Sequence, residues 1–269
     1  SVSIRPNAAF ASMSARTNRT GTEANREARD RLVERLRDAG LDVAVDPVGN
    51  VFGTWTPASA DPDAAPVVSG SHLDSVPEGG IFDGPLGVYA ALEAVRAMRD
   101  AGVEPDRPVG VVSFTEEEGG TFGDGLLGSS VATGEVSLDE ALALTDGDGE
   151  TLGEALDRIG YRGGDAVDAD STGASATGAD SGPTTLDPAS WAAFYELHVE
   201  QDTTLEDAGA AVGVVTTITG ITHCEAAIEG EANHAGATAM GDRAGALAAA
   251  SAFVVDVEAA ANAAGAAAS

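Results

Sequence analysis

The sequence predicts an α/β fold in which helices flank a mixed sheet, and two groups of elements predict it. Apolar runs at 41–45 and 51–55 stand on either side of a Pro-Val-Gly-Asn turn, which favours an antiparallel strand pair. An apolar run at 65–69, an amphipathic helical pattern at 86–101 and another apolar run at 109–114 then follow one another. This order favours two parallel strands joined by a right-handed crossover, so the sheet should be mixed.

Further helices and strands are predicted along the rest of the chain. Residues 22–39 carry apolar side chains at helical spacing, with Arg and Glu on the other face, and Gly40 ends the pattern. Helices at 137–144 and 151–159 each begin with Ser or Thr followed by an acid three residues later. The other predicted elements are a helix within 122–132, a strand within 191–200, strands at 212–218 and 222–229, and an alanine-rich helix at 242–264.

The stretch 163–187 differs from the rest because it has almost no large apolar residue and is rich in acids. It cannot bury enough surface to offset the entropy lost on ordering. We predict a flexible acidic insertion at the surface, and a substrate lid is the alternative interpretation.

The composition limits the class of protein. A chain of 269 residues with 43% hydrophobic content can form one large domain or two ordinary ones. The sequence contains no run of eighteen apolar residues and no basic-then-apolar start, so a cytoplasmic location is expected. The single cysteine, Cys224, excludes an internal disulfide and is expected to be a small buried side chain.

The net charge is strongly negative. The chain has 44 acids against 14 bases, which gives −30, and every base is Arg. Such a charge repels nucleic acid and anionic membranes, so neither is expected as a partner. Abundant acid without Lys is typical of a protein that works in high salt, where charges are screened over a few ångströms.

Metal-ligating side chains follow the predicted strand at 65–69. His72 and Asp74 lie where this strand meets its loop, which is where open α/β sheets bind ligands, and Asp83 follows among glycines. Imidazole nitrogen and carboxylate oxygen suit zinc, manganese or cobalt, and a carboxylate can bridge two metals. The alternative is a glycine-rich loop with scattered polar residues.

Two further strand ends carry the same kinds of side chain. The strand at 109–114 runs into Glu116, Glu117 and Glu118, and the apolar run at 191–200 ends with His198 and Glu200. A solvated acidic turn and a structural histidine are the alternatives. Three such strand ends in order favour a metal centre, which would supply the counter-charge that the acidic turn lacks.

Four segments together resemble a known family. They are GSHLDSVPEGGIFDG at 70–84, FTEEEGGTFG at 114–123, ELHVEQ at 196–201 and GEANHAGATAM at 230–240. In this order they resemble the hydantoinase/carbamoylase amidases, which include N-carbamoyl-L-amino acid hydrolases, allantoate amidohydrolases and β-ureidopropionases. That family belongs to the superfamily of dinuclear-metal aminoacylases and carboxypeptidases.

The resemblance implies a function and an architecture. The function is metal-dependent hydrolysis of a non-peptide C–N bond in N-carbamoyl-L-amino acids or related ureido compounds. Alternatives are an aminoacylase or peptidase of the superfamily, or a non-catalytic metal-binding fragment. A catalytic domain with the dinuclear-metal aminopeptidase-like fold is expected over 1–210. The start of an inserted α+β lid domain, through which the complete protein would form a homodimer, is expected over 211–269.

The resemblance also implies the metal ligands. His72, Asp83 and His198 would hold the first of two divalent ions, Zn²⁺, Mn²⁺ or Co²⁺. Asp83 would bridge to the second ion, which Glu118 also binds. In the family a further lid segment and one more metal-binding histidine come later in the chain, so the second site is expected to be incomplete within these residues.

The remaining site residues take roles in catalysis and substrate binding by the same resemblance. Glu117 would be the general base, with Glu116 as the second choice, and Asp74 would orient the imidazole of His72. The expected contacts to the small-molecule substrate are Gln201, His234 and Asn233, although Asn233 can also simply shape its turn. His223 lies in none of the four segments and is expected to be structural.

Overall fold

The computed structural model describes residues 18–163, 186–218, 220 and 226–264. The chain divides into two compact units, Ser1–Thr204 and Leu205–Ser269. The first unit contains a sheet of five strands in the order β1-β2-β4-β3-β5. In chain order the strands are β1 (Asp42–Val45), β2 (Val51–Trp55), β3 (Val67–His72), β4 (Val109–Phe114) and β5 (Ala193–Tyr195).

Among the residues that the structure describes, five helices accompany this sheet. They are α1 (Glu23–Asp38), α2 (Pro85–Asp100), α3 (Leu127–Thr133), α4 (Leu138–Ala143) and α5 (Leu152–Ile159), and a short 3₁₀ turn covers Pro188–Ser190. The predicted elements from 22 to 114 and the two capped helices are confirmed.

The sheet is mixed, as predicted. β1 and β2 pair antiparallel, as do β2 and β4, whereas β3 lies parallel to both β4 and β5. The carboxyl ends of three parallel strands therefore meet at one edge, where His72 pairs with Phe114. The loops that follow β3, β4 and β5 converge there.

The two faces of the sheet are covered unequally. Val111 and Val112 are neighbours in β4 and point to opposite faces. On the face of Val111, α1, α2 and α5 contribute to one large buried cluster that includes Leu32, Leu92 and Leu156. On the face of Val112 the buried cluster is small, and its members are Val68, Val112, Phe114 and Ala132, with Phe52, Leu186 and Trp191 packed against it.

Two predictions for the first unit need correction. The helix predicted within 122–132 begins only at Leu127, because Leu126 has a left-handed backbone (φ 54°). The strand predicted within 191–200 is reduced to β5, so His198 lies three residues beyond the strand end. Among the described strands, β5 pairs only with β3, at the edge of the sheet. The chain then leaves the sheet and brings the carbonyl of Leu197 over Gly87 in the first turn of α2.

The second unit differs more from its prediction. It contains α6 (Thr204–Ala208), which begins at the unit boundary, a 3₁₀ turn at Met240–Asp242, and α7 (Ala246–Ala263). The predicted strand at 212–218 is not formed, and 226–229 also has no strand. Residues 222–225, with His223 and Cys224, lie outside the described residues, as does 164–185 of the predicted insertion. Within the described chain, only α7 has the length and apolar composition to cross a membrane, a property that core helices of soluble domains share.

Candidate active site

His72 ends β3 and is 1% exposed. Its Nδ1 lies 2.9 Å from the main-chain oxygen of Asp74. Because a carbonyl oxygen only accepts, Nδ1 carries the hydrogen and, in the neutral ring, Nε2 presents a lone pair. Nε2 makes no hydrogen bond within the described chain and lies 3.4 Å from Oε2 of Glu117. A metal ion bound to Nε2 would satisfy this buried lone pair.

His198 repeats this arrangement from the loop after β5. Its Nδ1 lies 2.9 Å from the main-chain oxygen of Val199, and its Nε2 lies 3.0 Å from Oδ1 of Asp83. The imidazole rings of His72 and His198 are 6.3 Å apart. His72, Asp83 and His198 each offer a ligand atom, and the three atoms lie within 4.8 Å of one another. The first predicted ligand group is thus brought together.

The glycines of the β3–α2 loop allow these side chains to meet. Gly84 has φ +81°, and a Cβ on it would lie 2.4 Å from the ring of His72. Both the backbone conformation and the space therefore require glycine. Gly84 also stands directly before α2, so the same residue sets the start of the helix and the approach of Asp83 to the site.

The turn after β4 brings two of its three glutamates to the site. Glu117 and Glu118 form a second group with His72, again with ligand atoms within 4.8 Å. Glu116 instead is fully buried, and its Oε1 accepts hydrogen bonds from the main-chain nitrogens of Thr121 (2.6 Å) and Phe122 (2.7 Å). Glu116 therefore holds the fold of the loop, and of the two candidate bases Glu117 is the one with access to the site.

The carboxylates of the site crowd one another. Burial raises the pKa of Glu117. The charge of His72 lowers this pKa in part, and the charges of Asp74 and Glu196 raise it further. Burial, followed by the charge of Asp83, also raises the pKa of Glu118. A bound cation would remove this conflict, because it favours the ionised form of each neighbouring carboxylate.

Asp74 connects the carboxyl ends of β3 and β4 through contacts that the sequence did not predict. The carbonyl group, not the carboxylate, is the part of Asp74 nearest to Nδ1 of His72, since Oδ1 is 4.0 Å away. Oδ2 accepts a hydrogen bond of 3.1 Å from the main-chain nitrogen of Glu118. Asp74 thus orients the imidazole through its backbone and holds the acidic turn through its side chain.

The predicted substrate contacts lie in both units. Nε2 of Gln201 donates to Oδ2 of Asp83 at 2.8 Å. In the second unit, Nδ1 of His234 accepts hydrogen bonds from the main-chain nitrogens of Gly236 (3.1 Å) and Ala237 (3.0 Å), so the hydrogen of the neutral ring lies on Nε2. Asn233 accepts from the main-chain nitrogen of His234 at 2.8 Å and therefore shapes this turn.

Three residues of the site were missed. Arg29 is the single arginine among the buried residues that the structure describes, although the helical pattern had placed the arginines of this helix on its polar face. Its position three residues before Leu32, within the buried stripe of α1, is a signal that could have revealed it. Ser71 donates a 2.6 Å hydrogen bond to Glu196; both lie within the segments at 70–84 and 196–201, but neither was given a role.

Ser71 and Glu196 border a cavity of about 270 Å³ beside Glu117. Its other walls are mainly apolar and come from Phe114, Leu126, Trp191 and Phe194. The cavity therefore lies on the thinly covered face of the sheet, directly next to the candidate base.

Comparison with known proteins identifies the family of the chain. Residues 68–268 match the model of peptidase family M20/M25/M40. The chain is 40% identical over 237 residues to the N-carbamoyl-L-amino acid amidohydrolase of Geobacillus stearothermophilus, covering 88% of this chain and 54% of that protein. It is 37% identical over 215 residues to the allantoate amidohydrolase of Bacillus subtilis, covering 80% of this chain and 48% of that protein.

Solved structures agree with the sequence relatives. The crystal structure of a hydantoinase/carbamoylase family amidase from Burkholderia multivorans matches with a TM-score of 0.70 and 35% identity, over 93% of this chain and 57% of that one. The chain spans about half the length of the curated relatives it matches. These matches confirm the resemblance that the four segments predicted. The chain belongs to peptidase family M20/M25/M40, a metal-dependent family, and its relatives include the hydantoinase/carbamoylase amidases.

Proposed function

We propose that the protein is a metal-dependent amidohydrolase that cleaves a non-peptide C–N bond of N-carbamoyl-L-amino acids or related ureido compounds. One observation carries this proposal: two histidines direct Nδ1 to main-chain carbonyls and Nε2 to the carboxylates of Glu117 and Asp83. The substrate class comes from relatives named as N-carbamoyl-L-amino acid and allantoate amidohydrolases.

The metal assignment within this proposal follows the first ligand group and the resemblance to the family. His72, Asp83 and His198 would hold one divalent ion. Asp83 and Glu118 would contribute ligands to a second. Their nitrogen and oxygen atoms suit Zn²⁺, Mn²⁺ or Co²⁺. A bound ion supplies Lewis acidity toward the substrate carbonyl and the attacking water.

Glu117 carries the proton in this mechanism. Its carboxylate takes a proton from the water that attacks the carbonyl carbon, and it passes that proton to the nitrogen that leaves as the C–N bond breaks. Burial raises the pKa of Glu117, which helps it to hold the proton between the two steps. Its position beside Nε2 of His72 places it next to the first ligand group.

Residues outside the ligand groups bind the substrate. The Nε2–H of His234 is a hydrogen-bond donor suited to the oxyanion that forms on the carbonyl, because Nδ1 is already held by two main-chain amides. Gln201 contacts Asp83 and is suited to a carbamoyl group bound beside it. Asn233 acts through the turn that presents His234.

An aminoacylase or peptidase is the second candidate, which the match to a peptidase family model favours. A substrate panel separates the two. The assay uses a polypeptide that extends over the full length of the relatives and is loaded with Zn²⁺, Mn²⁺ or Co²⁺. It should hydrolyse N-carbamoyl-L-amino acids, ureidoglycolate or allantoate faster than N-acetyl-amino acids or dipeptides. The reverse preference would reject the proposed reaction in favour of the second candidate.

The domain organisation, location and partners of the protein are proposed from its charge and from the resemblance to the family. Residues 1–210 form the catalytic domain and 211–269 the first part of a lid domain through which two copies associate. The net charge of −30 supports a halophilic protein with no nucleic-acid or membrane partner, and the cytoplasm is the proposed location.

A further inference from the structure

Arg29 lies beneath the candidate site with its guanidinium held on several sides. Nε donates to Oδ1 of Asn25 at 2.8 Å, Nη1 to the main-chain oxygen of Gly49, and Nη2 to Oγ1 of Thr115 at 3.0 Å. Cζ stands 5.3 Å from the centre of the Tyr161 ring. A buried guanidinium with this many fixed contacts has one orientation, and the contact to Thr115 leads directly to the acidic turn.

Within the described chain, Arg29 forms no ion pair with a carboxylate. Its hydrogen-bond acceptors are neutral, although buried charges are usually paired. Burial lowers the pKa of Arg29, and the negative charges of Asp74, Asp46 and Glu116 oppose this. Asp74 and Glu116 both belong to the site's loops, so Arg29 provides fixed positive charge from below the acidic turn.

Thr115 transmits this position to the loop that follows β4. Its main-chain nitrogen donates to Oδ1 of Asn50 at 2.9 Å, and its main-chain oxygen accepts from the nitrogen of Gly128 at 2.8 Å. Nδ2 of Asn50 donates to the oxygen of Gly128 at 3.0 Å and to Oδ2 of Asp46 at 2.9 Å. Both ends of the loop from 115 to 128 are therefore tied to the same buried network.

The loop itself is constrained near the acids. The main-chain oxygens of Glu116 and Glu117 accept from the nitrogens of Leu127 (3.1 Å) and Leu126 (2.7 Å). Glu116 has a left-handed backbone with φ 53°, which a residue with a side chain adopts only when its surroundings hold it there. The turn thus needs support from outside, and Thr115 is the adjoining residue through which Arg29 supplies it.

We propose that Arg29 is a positioning residue of the metal centre: through Thr115, its guanidinium fixes the turn that presents Glu117 and Glu118 and supplies part of that turn's counter-charge. The assignment rests on the proposed function, because it takes Glu118 as a metal ligand. Arg29 touches no candidate ligand and no substrate position, so its effect is indirect.

Three variants and one control test the proposal. Arg29→Met keeps an unbranched side chain and removes the charge and the donors, and Thr115→Val removes only the hydroxyl group. Arg29→Lys keeps the charge but cannot reproduce the forked contacts. Tyr161→Phe is the control, since it removes a 2.8 Å hydrogen bond to Asp30 beside Arg29 but leaves the Arg29–Thr115 contact in place.

Two readouts are taken on the 269-residue chain. Titration with Co²⁺ measures metal affinity, and hydrogen exchange of the metal-free chain measures opening of segment 116–127 relative to α5. We expect Arg29→Met and Thr115→Val to lower the Co²⁺ affinity by roughly ten-fold or more, the effect of losing outer partners of metal ligands. Both should speed exchange in 116–127 but not in α5. In Arg29→Lys both the Co²⁺ affinity and the exchange rate of 116–127 should lie between those of the two variants and those of the parent. Tyr161→Phe should match the parent in both.

The outcomes separate this inference from the proposed function. A parent chain that binds no Co²⁺ would count against the metal centre, and the exchange data would still decide whether Arg29 fixes the turn. Normal exchange in 116–127 together with normal Co²⁺ affinity in Arg29→Met would overturn the inference. If Arg29→Met fails to fold, Thr115→Val gives the same test with a smaller change.

Discussion

His72 and His198 show how backbone contacts prepare a side chain for metal binding. Each Nδ1 is held by a main-chain oxygen within two residues of the histidine, at 2.9 Å. This fixes the tautomer in which Nε2 is free to coordinate. The neighbouring main chain therefore fixes the metal-binding tautomer of both rings without a bound metal.

Replacing His72 with Ala should remove bound metal. The chain, incubated with Zn²⁺ or Mn²⁺ and dialysed, should retain the ion when analysed by elemental mass spectrometry, and His72→Ala should retain much less. The reason is that His72 is the residue shared by both ligand groups. His234→Ala is the control, because His234 belongs to neither ligand group, and it should keep the parent's content. Equal metal in His72→Ala and the parent would contradict the assignment.

Replacing Glu117 with Gln should separate metal binding from turnover. The amide keeps the size of the side chain but cannot take a proton. In a polypeptide that extends over the full length of the relatives, turnover should therefore fall by ~10²–10⁴-fold. Metal content should stay near that of the parent. Glu118→Gln is the comparison and should lose both metal and turnover. Near-parental turnover in Glu117→Gln would move the role of the base to another group.

At this scale strand-end positions indicated candidate metal ligands, and the resemblance to the family grouped His72, Asp83 and His198, which the structure brings together. It did not predict that Glu116 turns inward, since the bonds to Thr121 and Phe122 depend on how the loop folds back. Arg29 was missed for a related reason: a polar residue in a buried stripe can be recognised only when its distant partners are known.

Elements with strong local signals were predicted well, and those that depend on neighbours were not. Helices α1, α2, α4 and α5 combine apolar spacing with end signals, and each matches its prediction within about two residues. β5 is shorter than its apolar run, and among the described strands it pairs with β3 alone. The predicted strand at 212–218 has the right residue types, but no partner strand is present among the described residues.

The capping box of α5 gives a prediction with a defined pH dependence. Thr151 Oγ1 accepts from the nitrogen of Glu154, whose carboxylate accepts from the nitrogen and hydroxyl group of Thr151. These bonds lower the pKa of Glu154, the bond from the main chain first. The stabilisation is therefore present above the unfolded pKa of about 4.3 and is lost as the pH falls through the lower folded value.

We expect Glu154→Gln to lower the melting temperature at pH 7 and to match the parent near pH 3. Thr151→Ala removes the cap itself and should cost roughly 0.5–2 kcal/mol at neutral pH. Glu104→Gln, at an exposed loop position, is the control and should leave the melting temperature unchanged at both pH values. A deficit in Glu154→Gln that persists undiminished at pH 3 would show that the carboxylate's charge plays no part.

Over the whole molecule, the net charge of −30 opposes compaction. Arginine pairs offset a few acids, for example Arg26 with Glu23 and Asp30, and Arg158 with Glu150. These pairs are exposed or half-buried at the surface, and such pairs contribute little. The large excess of acids remains, so repulsion among surface carboxylates should exceed the attraction in the pairs.

Salt should therefore stabilise the fold well beyond the physiological range. Raising the ionic strength from 0.1 M to 1 M shortens the screening length from about 10 Å to about 3 Å, which weakens repulsion between neighbouring carboxylates. The melting temperature of the chain should rise steadily over this range, equally in NaCl and KCl, because screening depends on ionic strength and not on the cation. The double variant Glu104→Lys, Glu135→Lys changes two exposed positions and makes the net charge less negative, so its melting temperature should rise less steeply with salt. If the parent's melting temperature is flat or falls in molar salt, or if the double variant has the same slope, then charge repulsion does not limit stability and the excess of acids must be explained in another way.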